Sequence, residues 1–473
     1  MLKLSSHFII MATLIVAACA GCAGAPAYQA PTVAIAPSYP ATQSAQLRPA
    51  VTSEPFWQEI GDSTLSALVA EALRNGTDVH IAQARLDATR ASRRLVSYDL
   101  APTVTAVGSA LRSQQSLAAV PGLANRLPQQ DLYDFGFDAS WELDVFGRVR
   151  RNVAAQNALT SVAEHSLEDV QVSLAAEVAR TYFELRGAQR QLGVALRNAD
   201  VQRKTLALTE DRLAAGRGAG FDVERARSVL QLTLASVPGL NAQIAAHRNR
   251  ISTLLGRAPE AVPVELLTAA PLPSLPDSVT VGSPRQLIRR RPDVLAAERA
   301  VAAQSLFVGS AQADYMPRLA VGASLGYTSN RVASLTDNNM SRVLFGPSVT
   351  FPLLDLGRVK ERVNFAQAGQ REAQAEYTST VLRALEETET AVTSYDRAHE
   401  RLALLTDAVK SSSKALDLAQ QRFEAGLTDF LQVLDAQRTL LDAENQLATA
   451  HVQAGTALVA LYKAAGGTWS VRQ

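Results

Sequence analysis

Four stretches of the chain alternate apolar and polar side chains with a period of two residues. In 133–143 the odd positions are apolar, and the even positions are polar or small. The same alternation occurs less cleanly in 103–111, and it occurs again in 319–327 and 343–353. Because successive side chains of a strand point to opposite faces, this period predicts four β-strands, which follow one another as two pairs.

The predicted strands have the length and the one-sided apolar character of membrane strands. Transmembrane strands contain about ten residues, and the connecting segments 113–131 and 329–341 are polar. The alternative is the half-buried sheet of a soluble protein. The membrane interpretation predicts that an arginine is costly at Phe137 but mild at Gly136, on the opposite face. It also predicts which side chains face lipid: Phe135, Phe137, Trp141, Val321, Tyr327, Phe345 and Phe351.

Long stretches with helical spacing follow each predicted strand pair. Segments 148–215 and 358–425 each contain 68 residues rich in Ala, Leu, Gln, Arg and Glu, and neither contains proline. Such a composition and period predict two unusually long helices. The other predicted segments are two glycine-bearing turns, two returning helices and two shorter helices before the strands: 216–220, 426–429, about 222–256, about 431–463, about 78–98 and 292–313.

The body of the chain repeats itself. Segment 212–216, Arg-Leu-Ala-Ala-Gly, matches 422–426, Arg-Phe-Glu-Ala-Gly, at an offset of 210 residues. Gly-Arg-Val at 147–149 matches Gly-Arg-Val at 357–359 at the same offset. Two further landmarks, Ala101-Pro102 against Met316-Pro317 and Asp78 against Asp293, keep an offset of 215. The order and spacing of these matches indicate a tandem duplication.

The repeat and the composition changes together predict six segments. The first repeat and the second repeat each contain a short helix, a strand pair and a long helical hairpin, with the strand pairs at about 102–144 and 317–353. A proline-rich segment separates them, and a linker rich in Gly, Pro, Ala, Ser and Thr precedes them. In chain order the segments are a signal peptide, the linker, the first repeat, the proline-rich segment, the second repeat and a tail: 1–21, 22–63, 64–256, 257–288, 289–465 and 466–473.

Four strands are too few for a membrane barrel of their own. An open sheet edge is not tolerated in lipid, and the smallest membrane barrels have about eight strands. Several copies of the chain would therefore share one barrel. No stretch after residue 22 approaches eighteen apolar residues, so the helices are expected to extend into water. The expected fold is mainly α with a small transmembrane β part.

The N-terminus has the features of an export signal. Lys3 precedes an apolar run at 8–18, which is short for a membrane span and typical of a signal peptide. Small residues then surround Cys19 and Cys22, as in the site where bacterial lipoproteins are cleaved before a cysteine that is acylated. Both cysteines fit this pattern, and the alternative is an ordinary signal peptide with incidental cysteines.

Composition excludes several classes of function. The 46 Lys and Arg residues balance 45 Asp and Glu residues, whereas nucleic-acid binders usually carry a basic excess. The sequence contains two Cys and six well-separated His, and it has no phosphate-binding glycine loop, nucleophile elbow or paired-histidine motif. We therefore expect no enzyme activity, no cofactor, no metal site and no nucleic-acid partner.

Motifs along nearly the whole chain resemble one known family. The sequence is similar to the outer-membrane factors of bacterial tripartite efflux pumps of the RND type, which are TolC-like and OprM-like channels, and within them to the NodT lipoprotein branch. The Arg-Pro-Asp-Val block at 291–294 is the most specific of these motifs. The others are Phe56-Trp57 with Asp62, Leu65 and Leu68, and the stretches 144–148, 422–426, 434–437 and 461–463.

The resemblance implies a complete architecture. Three copies would form a twelve-stranded barrel in the outer membrane of a Gram-negative bacterium and a twelve-helix tube in the periplasm. This homotrimer would be a passive duct for drugs or other small molecules, and it would dock on a periplasmic adaptor and an inner-membrane RND pump. The family spacing of Cys, Pro and Tyr is kept at Cys22, Pro26 and Tyr28, which favours Cys22 as the lipidated residue. A type I secretion duct and a coiled-coil lipoprotein without a channel are the alternatives.

The resemblance also implies a gate where the long helices turn. In the family these turns close the resting channel and receive the adaptor, which assigns Gly216 and Gly426 to adaptor docking. Asp435 matches an acidic position at the constriction; its equivalent in the first repeat is Arg225, and Asp222 lies one turn earlier. Thr428 would help to hold Asp435 in the closed state. The alternative is that Asp222 and Asp435 are acids near helix N-termini, favoured by the macrodipole.

Overall fold

The computed structural model describes residues 47–48, 56–114, 116, 128–276, 279–280 and 283–467. The predicted signal peptide, Cys19, Cys22 and most of the linker lie outside the described residues. The fold is mainly helical with one small antiparallel sheet, as the sequence predicted.

Seven main helices account for most of the described chain. We number them α1 to α7, and their bounds are Ser63–Asn75, Thr77–Ser97, Arg148–Ala214, Gly220–Leu254, Pro292–Ala313, Leu356–Glu424 and Phe430–Ala464. Helices α3 and α6 contain 67 and 69 residues and correspond to the two long helices predicted from the sequence. Within the described residues, no helix combines the length and the apolar character needed to cross a membrane.

Four strands form the sheet: β1 Thr103–Ser113, β2 Gln130–Leu143, β3 Arg318–Ser329 and β4 Ser341–Thr350. They are antiparallel in the order β1-β2-β3-β4, so the two predicted strand pairs lie side by side. Phe137 in the middle of β2 is opposite Ala106 of β1 and Leu325 of β3, which fixes the register. A separate two-residue parallel pair joins Leu47–Arg48 to Val279–Thr280.

The chain divides into two compact units. The sheet unit includes 85–163 and 296–378, and therefore holds the four strands and the helical segments next to them. Of the described residues, the helical unit includes 164–276, 279–280, 283–295 and 379–467 together with 47–48 and 56–84. Its core is built from α1, α3, α4, α6 and α7, and its fully buried side chains include Leu65, Tyr182, Ile251, Tyr395 and Leu458.

The proline-rich segment is fixed to the helical unit through its own backbone carbonyls. Arg186 of α3 donates to the carbonyls of Thr268 and Glu265 at 2.9 and 3.2 Å. Arg248 of α4 donates to the carbonyls of Leu266 and Leu267 at 2.9 and 2.7 Å. Four consecutive carbonyls, beginning in the short 3-10 helix Val264–Leu266, thereby gain side-chain partners, which water would otherwise have to supply.

Candidate functional site

The sheet has one continuous apolar face. The register brings Phe135 beside Tyr327 and Trp141 beside Val321, and it brings Phe345 next to Ala323 on the same face. Phe135, Phe137 and Phe345 are 51%, 50% and 74% exposed, so these rings are not buried against helices of the same chain. Six of the seven side chains predicted to face lipid lie on this face, which we call the apolar sheet face: Phe135, Phe137, Trp141, Val321, Tyr327 and Phe345.

Phe351, the seventh, follows the last residue of β4. It is two residues beyond Val349, which is paired with Leu319 on the apolar sheet face, and its ring is 43% exposed. At the same end of the sheet the indole nitrogen of Trp141 donates to the carbonyl of Leu100 at 3.1 Å. Such a ring has an apolar body and a satisfied polar end, which suits the boundary between lipid and water.

The opposite face of the sheet is polar and internally hydrogen-bonded. Ser324 donates to Asp138 at 2.6 Å, and Thr328 donates to Asp134 at 2.6 Å. Arg342 of β4 forms an ion pair with Asp134 at 3.1 Å. These residues alternate with those of the apolar sheet face, so a single period-two pattern produces both surfaces.

Gly136 is not a position where arginine would be mild, contrary to the sequence-based expectation. A β-carbon built at Gly136 would lie 2.6 Å from the carbonyl oxygen of Leu325 and 2.8 Å from the Cα of Gly326. The two glycines are directly opposite each other in β2 and β3, and their backbones approach too closely for a side chain. Ser140 is an exposed residue of the same polar face and offers the better position.

The sheet has two edges within the described residues. In the order β1-β2-β3-β4, strands β1 and β4 each pair on one side only. Each free edge runs along a strand of ten or eleven residues, in which the backbone N–H and C=O groups of alternate residues point outward without a strand partner. An edge of this length is a template for pairing with another strand.

The two long helical hairpins turn with the same backbone geometry. Gly216 and Gly426 have φ values of 68° and 72°, which is the left-handed region that glycine adopts without steric cost. At the first turn the N–H of Arg217 bonds the carbonyl of Arg212 at 2.9 Å, and at the second the N–H of Leu427 bonds that of Arg422 at 2.9 Å. These bonds are those of a Schellman cap, so both glycines end their helices.

The acidic residues near the turns occupy different helical positions. Asp222 lies in the first turn of α4, where the macrodipole favours a carboxylate. Asp435 lies beyond the first turn of α7, whereas Asp429 is the N-cap of that helix and its carboxylate accepts from the N–H of Gln432 at 3.4 Å. The macrodipole explanation therefore applies to Asp222 and is weak for Asp435. Asp435 is exposed, and its carboxylate has no partner among the described residues of this chain.

Thr428 and Arg225 are placed near the turns without contacting Asp435. The hydroxyl of Thr428 is buried and has no hydrogen-bond partner within the described chain. The guanidinium of Arg225 lies 5.9 Å from the centre of the Phe221 ring. Within one chain, all four predicted gate residues lie at or near the N-terminal ends of α4 and α7. They do not bond one another within the described residues.

Sequence reasoning missed a contact between the two turns. The guanidinium of Arg212 lies 4.0 Å from the centre of the Phe423 ring and donates to the carbonyl of Phe423 at 3.3 Å. Phe423 also packs on Phe430, with ring centres 5.5 Å apart. The sequence does contain a sign of this contact, because the repeated motif has Leu213 in the first copy and the aromatic Phe423 in the second.

Comparisons with known proteins agree with this architecture. The chain matches the family of outer membrane efflux proteins over residues 68–257 and 283–467. It is 30% identical to outer membrane protein OprJ of Pseudomonas aeruginosa over 98% of this chain and 96% of OprJ. It is 29% identical to the solvent efflux pump outer membrane protein SrpC of Pseudomonas putida over 96% of this chain and 97% of SrpC.

A solved structure of the outer-membrane channel OprN is also similar. Its TM-score with this chain is 0.88 at 39% identity, over 94% of this chain and 99% of the OprN chain. The family match, the relatives and the fold therefore coincide over most of the sequence, and both repeats are included. The chain belongs to the outer membrane efflux protein family.

Proposed function

We propose that this chain forms the outer-membrane channel of a tripartite efflux pump, a passive duct through which drugs, solvents or other small molecules leave the cell. The observation that carries the proposal is the four-stranded sheet, which has one exposed apolar face, one hydrogen-bonded polar face and two free edges. A lipid-facing surface and a water-filled lumen on opposite faces are what a channel wall requires. The solvent pump protein SrpC and the channel OprN support this assignment.

Three copies of the chain would complete the wall. Pairing of β1 of one copy with β4 of the next satisfies both free edges and gives a closed barrel of twelve strands. Closure removes the unpaired backbone groups that lipid cannot satisfy. The same three-fold arrangement would collect six long hairpins into one tube, with the turns that contain Gly216 and Gly426 at a common end.

The turns would form the gate and the docking surface of the channel. Three copies of Asp435 near one axis would repel one another and attract cations. The exposed, unpartnered carboxylate of Asp435 is available for bonds to neighbouring copies, whereas the hydroxyl of Thr428, which also lacks a partner, is buried and would become available only if the turn rearranged. A periplasmic adaptor would open this gate by binding the open arrangement more tightly than the closed one.

We also propose, from the sequence, that the N-terminus carries a lipid anchor. Acylation of Cys22, or of Cys19 in its place, would hold the mature N-terminus at the outer membrane, while the barrel itself holds the protein there as well. Mass spectrometry of the mature N-terminus tests this assignment. A lipidated N-terminal Cys22 is expected, and an N-terminus without lipid on either cysteine would refute it. The double variant with both cysteines changed to alanine should be processed poorly but still export.

The channel function is tested in a strain that lacks this chain but retains its adaptor and RND pump. Such a strain should accumulate a fluorescent pump substrate, and expression of the full chain should restore export. The control is the same strain without the pump, where the chain alone should not restore export, because a passive duct supplies no energy. Restored export in the strain that lacks the pump, or no restoration with all partners present, would contradict the proposal.

A further inference from the structure

The helical unit contains an open cavity where three of its helices meet. Side chains of α3, α4 and α7 surround a volume of about 670 Å³, and every residue that lines it belongs to this unit. Small-molecule sites in proteins usually have volumes of about 300–1,000 Å³. The cavity is therefore large enough for a small organic molecule.

The sequence of α4 explains why this space is left unfilled. A β-carbon built at Gly239 would meet no atom within 4 Å, and the small Ser236 lines the cavity one turn earlier. Pro238 lies in the interior of the same helix, where proline removes a backbone hydrogen bond and clashes with the preceding turn. Small residues and a proline at one level of α4 thus favour a cavity over close packing.

Apolar side chains cover much of the cavity wall. Leu240 of α4 and Leu441 of α7 are half-buried there, and Ala195 of α3 is buried. Leu232 of α4 also lines the cavity and is 71% exposed, so the described chain leaves apolar surface uncovered. An apolar group that covered this surface would remove it from water, which favours binding.

Arg438 of α7 supplies the charge of the cavity. It is the one ionisable side chain among the described residues that line the wall, and its guanidinium forms no hydrogen bond or ion pair within them. The side-chain amides of Gln243 and Asn445 line the same cavity and also lack partners in the described chain. A guanidinium is a rigid planar group that can bind a carboxylate through two parallel hydrogen bonds.

No acidic side chain balances Arg438 inside the cavity. Asp435 and Asp442 lie three residues before and four residues after Arg438 on α7, but neither lines the cavity. The amide of Gln446 donates to Asp442 at 2.8 Å. Opposite them, residues 228–246 of α4 contain no Asp, Glu, Lys or Arg. A ligand that enters the cavity therefore meets one unbalanced positive charge, which favours an anion.

The cavity lies on the face of α4 that the gate assignment turns towards the lumen. Arg225 is the counterpart of Asp435 in the first repeat. Residues that follow Arg225 by 7, 11, 14 and 18 positions line the cavity, and this is the spacing of one helix face. They are Leu232, Ser236, Gly239 and Gln243. In the proposed channel these residues would face the duct together with Arg225.

We propose that this cavity binds an amphipathic organic anion, of the aromatic carboxylate class, on its way through the duct. The inference rests on the proposed channel function and names a class of substrate for it. Arg438 pairs with the carboxylate, and the amides of Gln243 and Asn445 donate to its remaining acceptor positions. The apolar body of the ligand lies on Leu240 and Leu441.

A matched pair of probes tests the requirement for a negative charge. 2-Naphthoate is a rigid aromatic carboxylate, and 2-naphthamide has a similar shape without the charge. Each probe is titrated by isothermal titration calorimetry into the full chain in lipid nanodiscs, with empty nanodiscs as the blank. The parent chain should bind 2-naphthoate at least tenfold more tightly than 2-naphthamide.

Two variants test whether the probes bind in this cavity. Arg438→Gln should weaken the binding of 2-naphthoate at least tenfold and leave the binding of 2-naphthamide unchanged. Gly239→Leu should fill the cavity and weaken the binding of both probes at least tenfold. Because leucine suits a helix interior better than glycine, Gly239→Leu should still fold.

Each variant has a matched control outside the cavity. Arg383→Gln removes the same charge from an exposed position of α6. Ala245→Leu adds a similar bulk at an exposed position of α4 that does not line the cavity. Both controls should bind 2-naphthoate within twofold of the parent.

Several results would overturn the inference. The parent could bind neither probe or bind both equally, or Arg438→Gln or Gly239→Leu could leave the binding of 2-naphthoate intact. A control that loses as much binding as its cavity variant would place the effect outside the cavity. If the parent restores no export in the strain that lacks it, the channel function fails, while the titrations still decide whether the cavity binds an anion.

Discussion

At the scale of single residues, burial shifts the pKa of Asp169 in the helical unit. Burial raises the pKa of the Asp169 carboxyl, and the neighbouring carboxylate of Asp293 raises the pKa further. Lys463 and Arg291 lower the pKa, Glu387 raises it, and the outcome is a raised pKa. Arg291 does not neutralise Asp169, because it is already paired with Asp293 at 2.8 Å and with Glu387 at 2.7 Å.

A raised pKa in the folded protein makes the charged form of Asp169 a cost to stability. The Asp169 carboxyl contributes favourably to the free energy of unfolding at low pH, where it is protonated. That contribution is lost as the pH rises through the pKa of the folded state. We expect Asp169→Asn to raise the thermal midpoint of the detergent-solubilised protein at pH 7. The gain should shrink towards about pH 4, where an ordinary aspartate also becomes protonated. Thermal unfolding followed by circular dichroism at both pH values measures it.

Asp200 on the same helix provides the matched control. Its exposed carboxylate bonds Lys204, and that hydrogen bond lowers the pKa of Asp200. The charged form of Asp200 is stabilised by Lys204 in the folded protein, so Asp200→Asn removes a favourable interaction. The thermal midpoint should therefore stay unchanged or fall slightly. A rise for both variants would show that removal of negative charge, and not burial, stabilises the protein.

The roles of individual residues could be predicted only in part from the sequence. The motif that contains Arg291 was recognised, but its role was not, because its partners Glu387 and the carbonyl of Ala464 are distant in the chain. Gly136 was misjudged for the same reason, since the close approach of Gly326 depends on the register of β2 and β3. Contacts between distant segments are what a single sequence leaves open.

At the scale of secondary-structure elements, β2 offers a direct test of which face meets lipid. Phe137 lies near the middle of the strand on the apolar sheet face. Phe137→Arg should cost about 2–4 kcal/mol, the range for a cation at the bilayer midplane. Unfolding of the protein in lipid vesicles by denaturant measures the cost, and heat-modifiable gel mobility reports assembly.

Ser140→Arg is the control for β2, because Ser140 is exposed on the polar face of the same strand. Its neighbour on β3 is Gly322, where a built β-carbon would meet no atom within 4 Å. Ser140→Arg should change stability by less than about 1 kcal/mol, as expected for a change in contact with water. Equal costs at both positions would mean that the assigned faces are wrong.

The turn between α6 and α7 is the element to which adaptor docking is assigned. Gly426→Val places a β-branched residue at φ 72°, a left-handed conformation that costs an L-residue about 1–2 kcal/mol. A distorted turn should bind purified adaptor about tenfold more weakly, which corresponds to roughly 1.4 kcal/mol. The trimer should still assemble, and surface plasmon resonance with size-exclusion chromatography measures both properties.

Gly357→Val is the control for the turn, because Gly357 lies at the opposite end of α6, without a positive φ and with open space around it. Unchanged adaptor binding is expected for this variant. Strong binding by Gly426→Val would remove the turn from the docking surface, and failure of the trimer would show that the turn is needed for assembly instead.

The sequence predicted the main helices and strands well. Period-two alternation predicted the strand that the structure shows at Gln130–Leu143, and the long proline-free stretches predicted α3 and α6. These patterns are local, and each is set by the direction in which successive side chains point. Asp429 was missed as a cap because the sequence does not show which of several polar residues in a turn begins the helix.

At the scale of the whole molecule, the duplication gives two hairpins with the same turn and different charges. Gly216 and Gly426 end their helices alike, but the N-cap of α4 is Ala219 without a side-chain bond, whereas that of α7 is Asp429. The counterpart of Asp435 is Arg225. In the proposed trimer the shared turn would place both hairpin ends in equivalent positions, and the altered charges would let the second hairpin carry the acidic part of the gate.

The gate assignment predicts a change in ion flow through the resting channel. Removal of Asp435 from all three copies should remove the bonds that hold the closed turns and three negative charges near the axis. Asp435→Ala should therefore raise the resting conductance in planar bilayers and lower the preference for cations. Asp222→Ala should do the same to a smaller extent, since Asp222 also stabilises the first turn of α4.

Salt concentration and a control variant separate the electrostatic effect from damage to the fold. The change in cation preference should be large at about 0.1 M salt and small at 1 M, because the screening length falls from about 10 Å to about 3 Å. Asp417→Ala removes the same charge from an exposed position of α6 and should leave both properties unchanged. If neither Asp435→Ala nor Asp222→Ala alters conductance or selectivity, the acidic gate is refuted. Asp222 would then serve only to stabilise the start of its helix.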